Sequence, residues 1–109
     1  MSNLVNDFIV GNRIVHTGNS AFYAQCPRLT CRDGFSMSVQ ASSTHYSTPR
    51  DIVDEYSAVE IGYPSQVEEL ILEWAEDSEN PTGTVYAWVP VEVVEQVILN
   101  HGGLSEVSD

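Results

Sequence analysis

The chain of 109 residues is long enough for one domain with its own core, and 42% apolar with 9% aromatic content excludes a disordered acidic tail. Sixteen carboxylates stand against four arginines and no lysine, a net charge of −12. Residues 1–50 hold Arg13, Arg28, Arg32 and Arg50 with only Asp7 and Asp33, whereas everything from Asp51 onward carries fourteen acids and neither lysine nor arginine. Such a field repels nucleic acid and anionic membranes and attracts proteins with basic clefts.

No stretch approaches the roughly 20 apolar residues of a membrane span, and the N-terminus lacks a basic, then apolar, secretion pattern. A cytosolic location is the expectation. Four residues separate Cys26 from Cys31 in Cys-Pro-Arg-Leu-Thr-Cys. Free thiols are the leading reading in the cytosol, with a disulfide across a turn as the alternative. A metal site ranks last, because His16, His45 and His101 do not share ligand spacing.

In chain order, Phe8-Ile9-Val10 and Arg13-Ile14-Val15-His16 read as strands flanking a Gly11-Asn12 hairpin turn. A second hairpin is expected at Asp33-Gly34, entered by Leu29 to Arg32 and left by Phe35 to Ala41. In the outgoing strand Phe35, Met37, Val39 and Ala41 alternate with Ser36, Ser38 and Gln40, a period of two that places one apolar face on a core. Residues 42–56, with Ser, Thr and Pro49, read as a long loop. Ser57 to Tyr63 resumes as a strand with Val59, Ile61 and Tyr63 on one face.

Ser65 and Glu68 have capping-box spacing, and Val67, Leu70, Ile71, Trp74 and Ala75 follow at the spacing of a buried helical stripe. Asn80 to Gly83 ends that segment. Thr84 to Val89 reads as a strand with Val85, Ala87 and Val89 opposed to Tyr86 and Trp88. Pro90 then opens a second helix running to about His101, with Val91, Val94, Val97, Ile98 and His101 inward and Gly102-Gly103 as its stop. The last six residues read as a frayed tail. This order predicts one α+β domain over residues 1–109: an antiparallel or mixed β-sheet of hairpins with two helices packed on one face.

The candidate binding residues are acidic. Glu68, Glu69, Glu73, Glu76, Asp77 and Glu79 cluster in and after the first expected helix, where Glu69, Glu73 and Glu76 fall at i, i+4 and i+7. Like charges at i,i+4 cost a helix a few tenths of a kcal/mol per pair, roughly, and acids beyond the first turn gain nothing from its dipole. Folding alone does not call for them. Asp54, Glu55 and Glu60 form the next patch, while Glu92 and Glu95 are explained by the N-terminus of the second helix. The fourteen acids of the second half match the charge on about 24 Å of duplex DNA, and a groove built for phosphates pairs its arginines with carboxylates in the same way.

Against this stands the ordinary reading, a solvated acidic surface that keeps the protein dispersed. Catalysis finds no support: there is no Gly-rich phosphate loop, Gly-x-Ser-x-Gly or His-Glu-x-x-His. Cys26 or Cys31 would meet His16 or His45 only through the fold. Trp74, Tyr86 and Trp88 read as core, and the His45-Tyr46 pair as a partner contact or a loop anchor.

The segments Cys31-Arg32-Asp33-Gly34-Phe35-Ser36-Met37-Ser38-Val39-Gln40-Ala41, Val59-Glu60-Ile61-Gly62-Tyr63-Pro64-Ser65 and Val85-Tyr86-Ala87-Trp88-Val89-Pro90-Val91-Glu92-Val93-Val94 resemble small proteins encoded in phages and prophages. In size, acidity and single-domain build the whole chain also resembles the anti-CRISPR proteins, several of which mimic DNA. That likeness rests on character rather than on a motif, so it carries over no site residue. It implies a non-enzymatic inhibitor in the cytoplasm of a bacterial host. Such an inhibitor binds a protein with a basic DNA-binding cleft, foremost a multisubunit CRISPR effector, and neither nucleic acid directly nor a membrane. No cofactor is implied. The alternative is a phage accessory or structural protein, acidic for solubility only.

Overall fold

The turn at Asp33-Gly34 organises the sheet. Asp33 Oδ1 accepts from Phe35 N at 2.9 Å, Gly34 adopts φ 97°, and Cys31 and Phe35 close the turn through the Cys31 N to Phe35 O bond of 2.7 Å. In a computed structural model, which describes residues 4–17 and 22–105, the elements run α1 (Leu4–Asn12), β1 (Ile14–Thr17), β2 (Phe22–Gln25), β3 (Leu29–Thr30), β4 (Ser36–Gln40), β5 (Ala58–Gly62), a 3₁₀ helix (Glu69–Trp74), β6 (Val85–Pro90) and α2 (Val91–Asn100). Strands β3-β4-β5-β6 form an antiparallel sheet in that order, and β1-β2 form a separate antiparallel pair. The α+β class, with antiparallel hairpins and helices, is as the residue pattern predicts.

The alternation in β4 is real. Phe35, Met37, Val39 and Ala41 are buried, while Ser36 and Ser38 are only half-buried. Gln40 departs from it, buried because its amide bridges Cys26 N at 2.7 Å and Cys26 O at 2.8 Å. Helix α2 follows the expected stripe, with Val91, Val94, Val97 and Ile98 in the core. It ends in a Schellman turn, Gly103 N bonding Ile98 O at 2.9 Å and Gly102 N bonding Leu99 O at 3.1 Å. Both glycines have positive φ, which their missing Cβ makes inexpensive. The chain then returns along β3: Leu104 bridges Cys31, and Ser105 N donates to Thr30 O at 2.9 Å. The expected fraying therefore does not begin at Leu104, and Glu106 to Asp109 lie outside the described residues.

The structure corrects four expectations. Residues 8–10 are helix, not strand. Val5 and Ile9 are fully buried and Leu4 and Phe8 pack against the core, a stripe of i, i+1, i+4 and i+5 that continues helical bonding through Arg13 N to Ile9 O at 3.0 Å. Asn6 ties this helix to the loop, its side chain accepting from Tyr56 N at 2.7 Å and donating to Tyr56 O at 3.1 Å. The partner of β1 is β2, in register Ile14 to Gln25.

Second, the acidic helix is a 3₁₀ helix of six residues. Ser65 is drawn into the sheet instead of capping: its N donates to Ser36 O at 2.8 Å and its Oγ accepts from Ser36 N at 3.0 Å. At the other end Ala75 bridges Tyr86, and Glu76 N donates to Val85 O at 3.0 Å. These tertiary bonds pin both ends and leave no room for further α-helical turns. Ile71 alone of the helix is buried, Trp74 and Ala75 pack partly on the core, and Val67 and Leu70 are exposed.

Third, Tyr63 does not join Val59 and Ile61. The strand stops at Gly62, and Tyr63 turns outward at φ 51°. Fourth, β6 buries Tyr86 and Val89, three residues apart, rather than alternate positions. The ladder with β5 is irregular between Val59 and Ile61, so one extra residue on β6 reverses its facing.

Candidate functional site

Several of the described acids are bound up in the fold, among them Glu95, whose Oε2 accepts from Leu4 N at 3.4 Å. In His101, the C-cap of α2, Nδ1 lies 2.6 Å from Asp33 Oδ2 and Nε2 lies 2.9 Å from Glu68 Oε1. Ionised carboxylates only accept, so both bonds are made when the ring is an imidazolium. Phe35 stacks on it with centroids 4.2 Å apart and planes 12° from parallel. Burial works against the charge, but the bonds to Glu68 and Asp33 outweigh it and raise the His101 pKa above the ordinary histidine value. The Asp33 pKa is lowered, first by its bond from Phe35 N and then by His101. Glu68 Oε2 also accepts from Leu70 N at 3.2 Å, capping the 3₁₀ helix.

Glu68 is therefore only 14% exposed and faces inward, not toward a partner. Glu60 likewise holds the long loop, accepting from Tyr46 N at 3.1 Å. Asp54 pairs with Arg13 at 3.0 Å but remains 87% exposed. These three members of the candidate set have work inside the fold.

The others stand in solvent. Glu55, Glu69, Glu73, Glu76, Asp77 and Glu79 are exposed, and among the described residues none is ion-paired with arginine or histidine. Asp77 makes only a local bond, accepting from Glu79 N at 3.2 Å. The expected stacking of Glu69, Glu73 and Glu76 on one α-helical face is not formed, because Glu76 lies beyond the 3₁₀ helix in the edge contact with β6. The exposed carboxylates instead follow one another along the chain, from the 3₁₀ helix at Glu69 and Glu73 through the bends and turn that carry Glu76, Asp77 and Glu79, and are termed the acidic rim.

The arginines do not neutralise that rim. Arg28 donates to Ser36 Oγ at 2.9 Å, to Ser36 O and to Tyr63 O. Arg32 Nε donates to Leu104 O at 3.2 Å, and Arg13 reaches Val53 O as well as Asp54. Arg50 lies over the Tyr46 ring, 5.4 Å from its centroid. Guanidinium groups placed on backbone carbonyls staple the chain, and among the described residues only Asp54 of the candidate acids pairs with one.

Trp88 is the residue that composition and spacing misassign. Trp74 packs partly on the core and Tyr86 is buried with its hydroxyl on Pro81 O, but Trp88 is 48% exposed and leans on Tyr46 with centroids 5.0 Å apart. The sole forewarning in the sequence is the polar loop that carries His45-Tyr46; the bulge that turns Trp88 outward leaves no mark there. His45 itself serves the loop, its Nδ1 2.7 Å from Ser42 Oγ, and burial is the main cause of its lowered pKa.

Cys26 and Cys31 are free and buried, and burial pushes each thiol up to about 11. A thiol raised in this way is mostly protonated at neutral pH, and the thiolate is its nucleophilic form. Among the described residues no group of three or more His, Cys, Asp and Glu is arranged to hold a metal ion, and no helix is long and apolar enough to cross a membrane. No family model, curated protein or solved structure matches the chain.

Proposed function

We propose that this protein is a non-enzymatic inhibitor whose acidic face occupies the DNA-binding channel of a basic partner protein. The observation that carries the reading is the rim Glu69, Glu73, Glu76, Asp77 and Glu79, exposed and without an ion-pair partner among the described residues while the arginines are engaged elsewhere. Uncompensated like charge gains nothing for folding. A channel lined for phosphate supplies the missing cations, often as two-point arginine–carboxylate pairs. Glu55 and the solvent-facing Asp54 are a second exposed acidic pair. The likeness to acidic anti-CRISPR proteins puts forward a CRISPR effector complex, foremost a multisubunit one, as the target, and evasion of host defence as the role.

The test begins with the immobilised protein in a bacterial lysate at low and high salt. A nucleic-acid-binding complex should be retained at low salt and released by salt or by duplex DNA. Once purified, that complex should lose target-duplex binding in a gel shift when the protein is added. A retained partner whose duplex binding is unaffected, or none retained at low salt, overturns the reading. The alternative, a phage accessory or structural protein acidic for solubility, draws on Asp33, Glu60 and Glu68, whose carboxylates serve the fold; it predicts no salt-released partner.

A further inference from the structure

Trp88 adopts an uncommon backbone conformation without gaining burial. Its φ of 54° lies in the left-handed region, where a bulky side chain is a genuine outlier. The irregular ladder produces it: Val59 faces Val89 and Ile61 faces Tyr86, so Ala87 and Trp88 together oppose Glu60. Bulges of this kind re-aim a side chain. The indole ends up half exposed on the outer side of the sheet.

Its surroundings hold it there. Trp88 N donates to Tyr46 O at 3.2 Å, and the two rings meet at a 41° tilt. Tyr46 is fixed from the other side by Glu60, which accepts from its N at 3.1 Å. Strained residues persist where the structure over-determines them, and they concentrate at binding sites. Tryptophan, tyrosine and arginine are also the side chains that dominate interface energetics.

We infer that Trp88, backed by Tyr46, is the aromatic anchor on which an arginine of a basic partner protein stacks. The inference rests on the proposed reading of the acidic face and adds a contact that charge alone does not provide. Charge complementarity selects the occupant. In the field of a chain with net charge −12 the approaching surface is basic. A guanidinium is planar and weakly hydrated, and it stacks on an indole better than an ammonium does. A nucleobase stacks too, but it brings a phosphate that the field repels. The chain displays the same chemistry internally, since Arg50 already lies over Tyr46 and leaves the half-exposed indole as the open ring.

The experiment reads Trp88 fluorescence in a Trp74→Phe background, where Trp88 is the sole tryptophan. The protein is titrated with an oligo-arginine peptide, an oligo-lysine peptide of equal length and a single-stranded DNA oligonucleotide. The arginine peptide should change Trp88 emission and bind about two- to fivefold more tightly than the lysine peptide. Trp88→Ala, checked by circular dichroism, should abolish that preference and keep the salt dependence. Changing Glu69, Glu73 and Glu76 to Gln should reduce the salt slope for both peptides and keep the preference for arginine. Equal affinities with silent Trp88 emission overturn the anchor and leave the acidic face standing. Failure of both peptides to bind at low salt overturns both. A Trp88 response to the DNA overturns the choice of partner. The emission measurement uses the intact indole, so it decides the matter even if Trp88→Ala does not fold.

Discussion

His101 is the residue on which three elements converge. Its two carboxylate partners come from the β3–β4 turn and from the cap of the 3₁₀ helix, while the imidazolium itself ends α2. A histidine whose pKa is raised on folding contributes stability that is complete below its unfolded value near 6.5 and disappears as pH rises through the folded value. Asp33 is shifted the opposite way: its contribution is present above the ordinary carboxylate value of about 3.9 and is lost as pH falls through its lowered one. His101→Gln, which keeps a single neutral amide, should therefore cost about 1.5–3 kcal/mol in mildly acidic buffer. The gap between wild-type and variant melting temperatures should narrow as pH rises above neutrality. A gap that is constant with pH would show that the ring acts by packing on Phe35 alone. The thiols make a second residue-scale prediction. With pKa values pushed to about 11 by burial, Cys26 and Cys31 should resist a maleimide in native buffer at neutral pH and react promptly in denaturant. Fast native labelling would contradict their burial.

At the scale of elements the 3₁₀ helix and α2 contrast. Both carry an apolar stripe in the sequence, yet α2 buries four side chains and the 3₁₀ helix one. The core energetics must follow that difference. Ile71→Ala removes a fully buried side chain and should cost about 2–5 kcal/mol. Val67→Ala and Leu70→Ala should each stay within about 0.5 kcal/mol, since both side chains stand in solvent. Denaturant unfolding of the three variants measures this directly. Comparable losses at all three positions would instead indicate the α-helical stripe. The early helix α1 is anchored by Val5, Ile9 and the Asn6–Tyr56 pair of bonds, so it stabilises the loop that carries Tyr46 and Arg50.

For the whole molecule, the net charge of −12 governs what can approach. Binding to duplex DNA depends on neutralising phosphates with cations, which supplies nearly all non-specific affinity. The arginines here are largely committed to the chain's own carbonyls and to Tyr46. The purified protein should therefore give no gel shift with a generic duplex at physiological salt and micromolar concentration. A shift under those conditions would overturn the electrostatic account. The molecule measures 37 × 31 × 27 Å along its principal axes, the scale of the duplex length matched by its acidic charge, about 24 Å.

The separation of charge between the halves, the Asp33-Gly34 hairpin, the alternation of Phe35 to Ala41 and the whole of α2 with its double-glycine stop are legible in the residues themselves. Each depends on local periodicity or on a turn chemistry that few residues satisfy. The candidate acids were legible too, as a composition. What no local pattern carries is which of them the fold consumes: Glu68 is claimed by His101 from 33 positions away and Asp33 by the same ring from 68. The 3₁₀ helix is short because Ser65 and Glu76 find hydrogen-bond partners on distant strands, and tertiary bonds of that kind override a helical stripe. Trp88 turns outward because β5 and β6 differ by one residue across their ladder. Periodicity reports how a segment faces its own neighbours, whereas a bulge or a long-range ion pair is decided by the register of chains that meet only once the protein has folded.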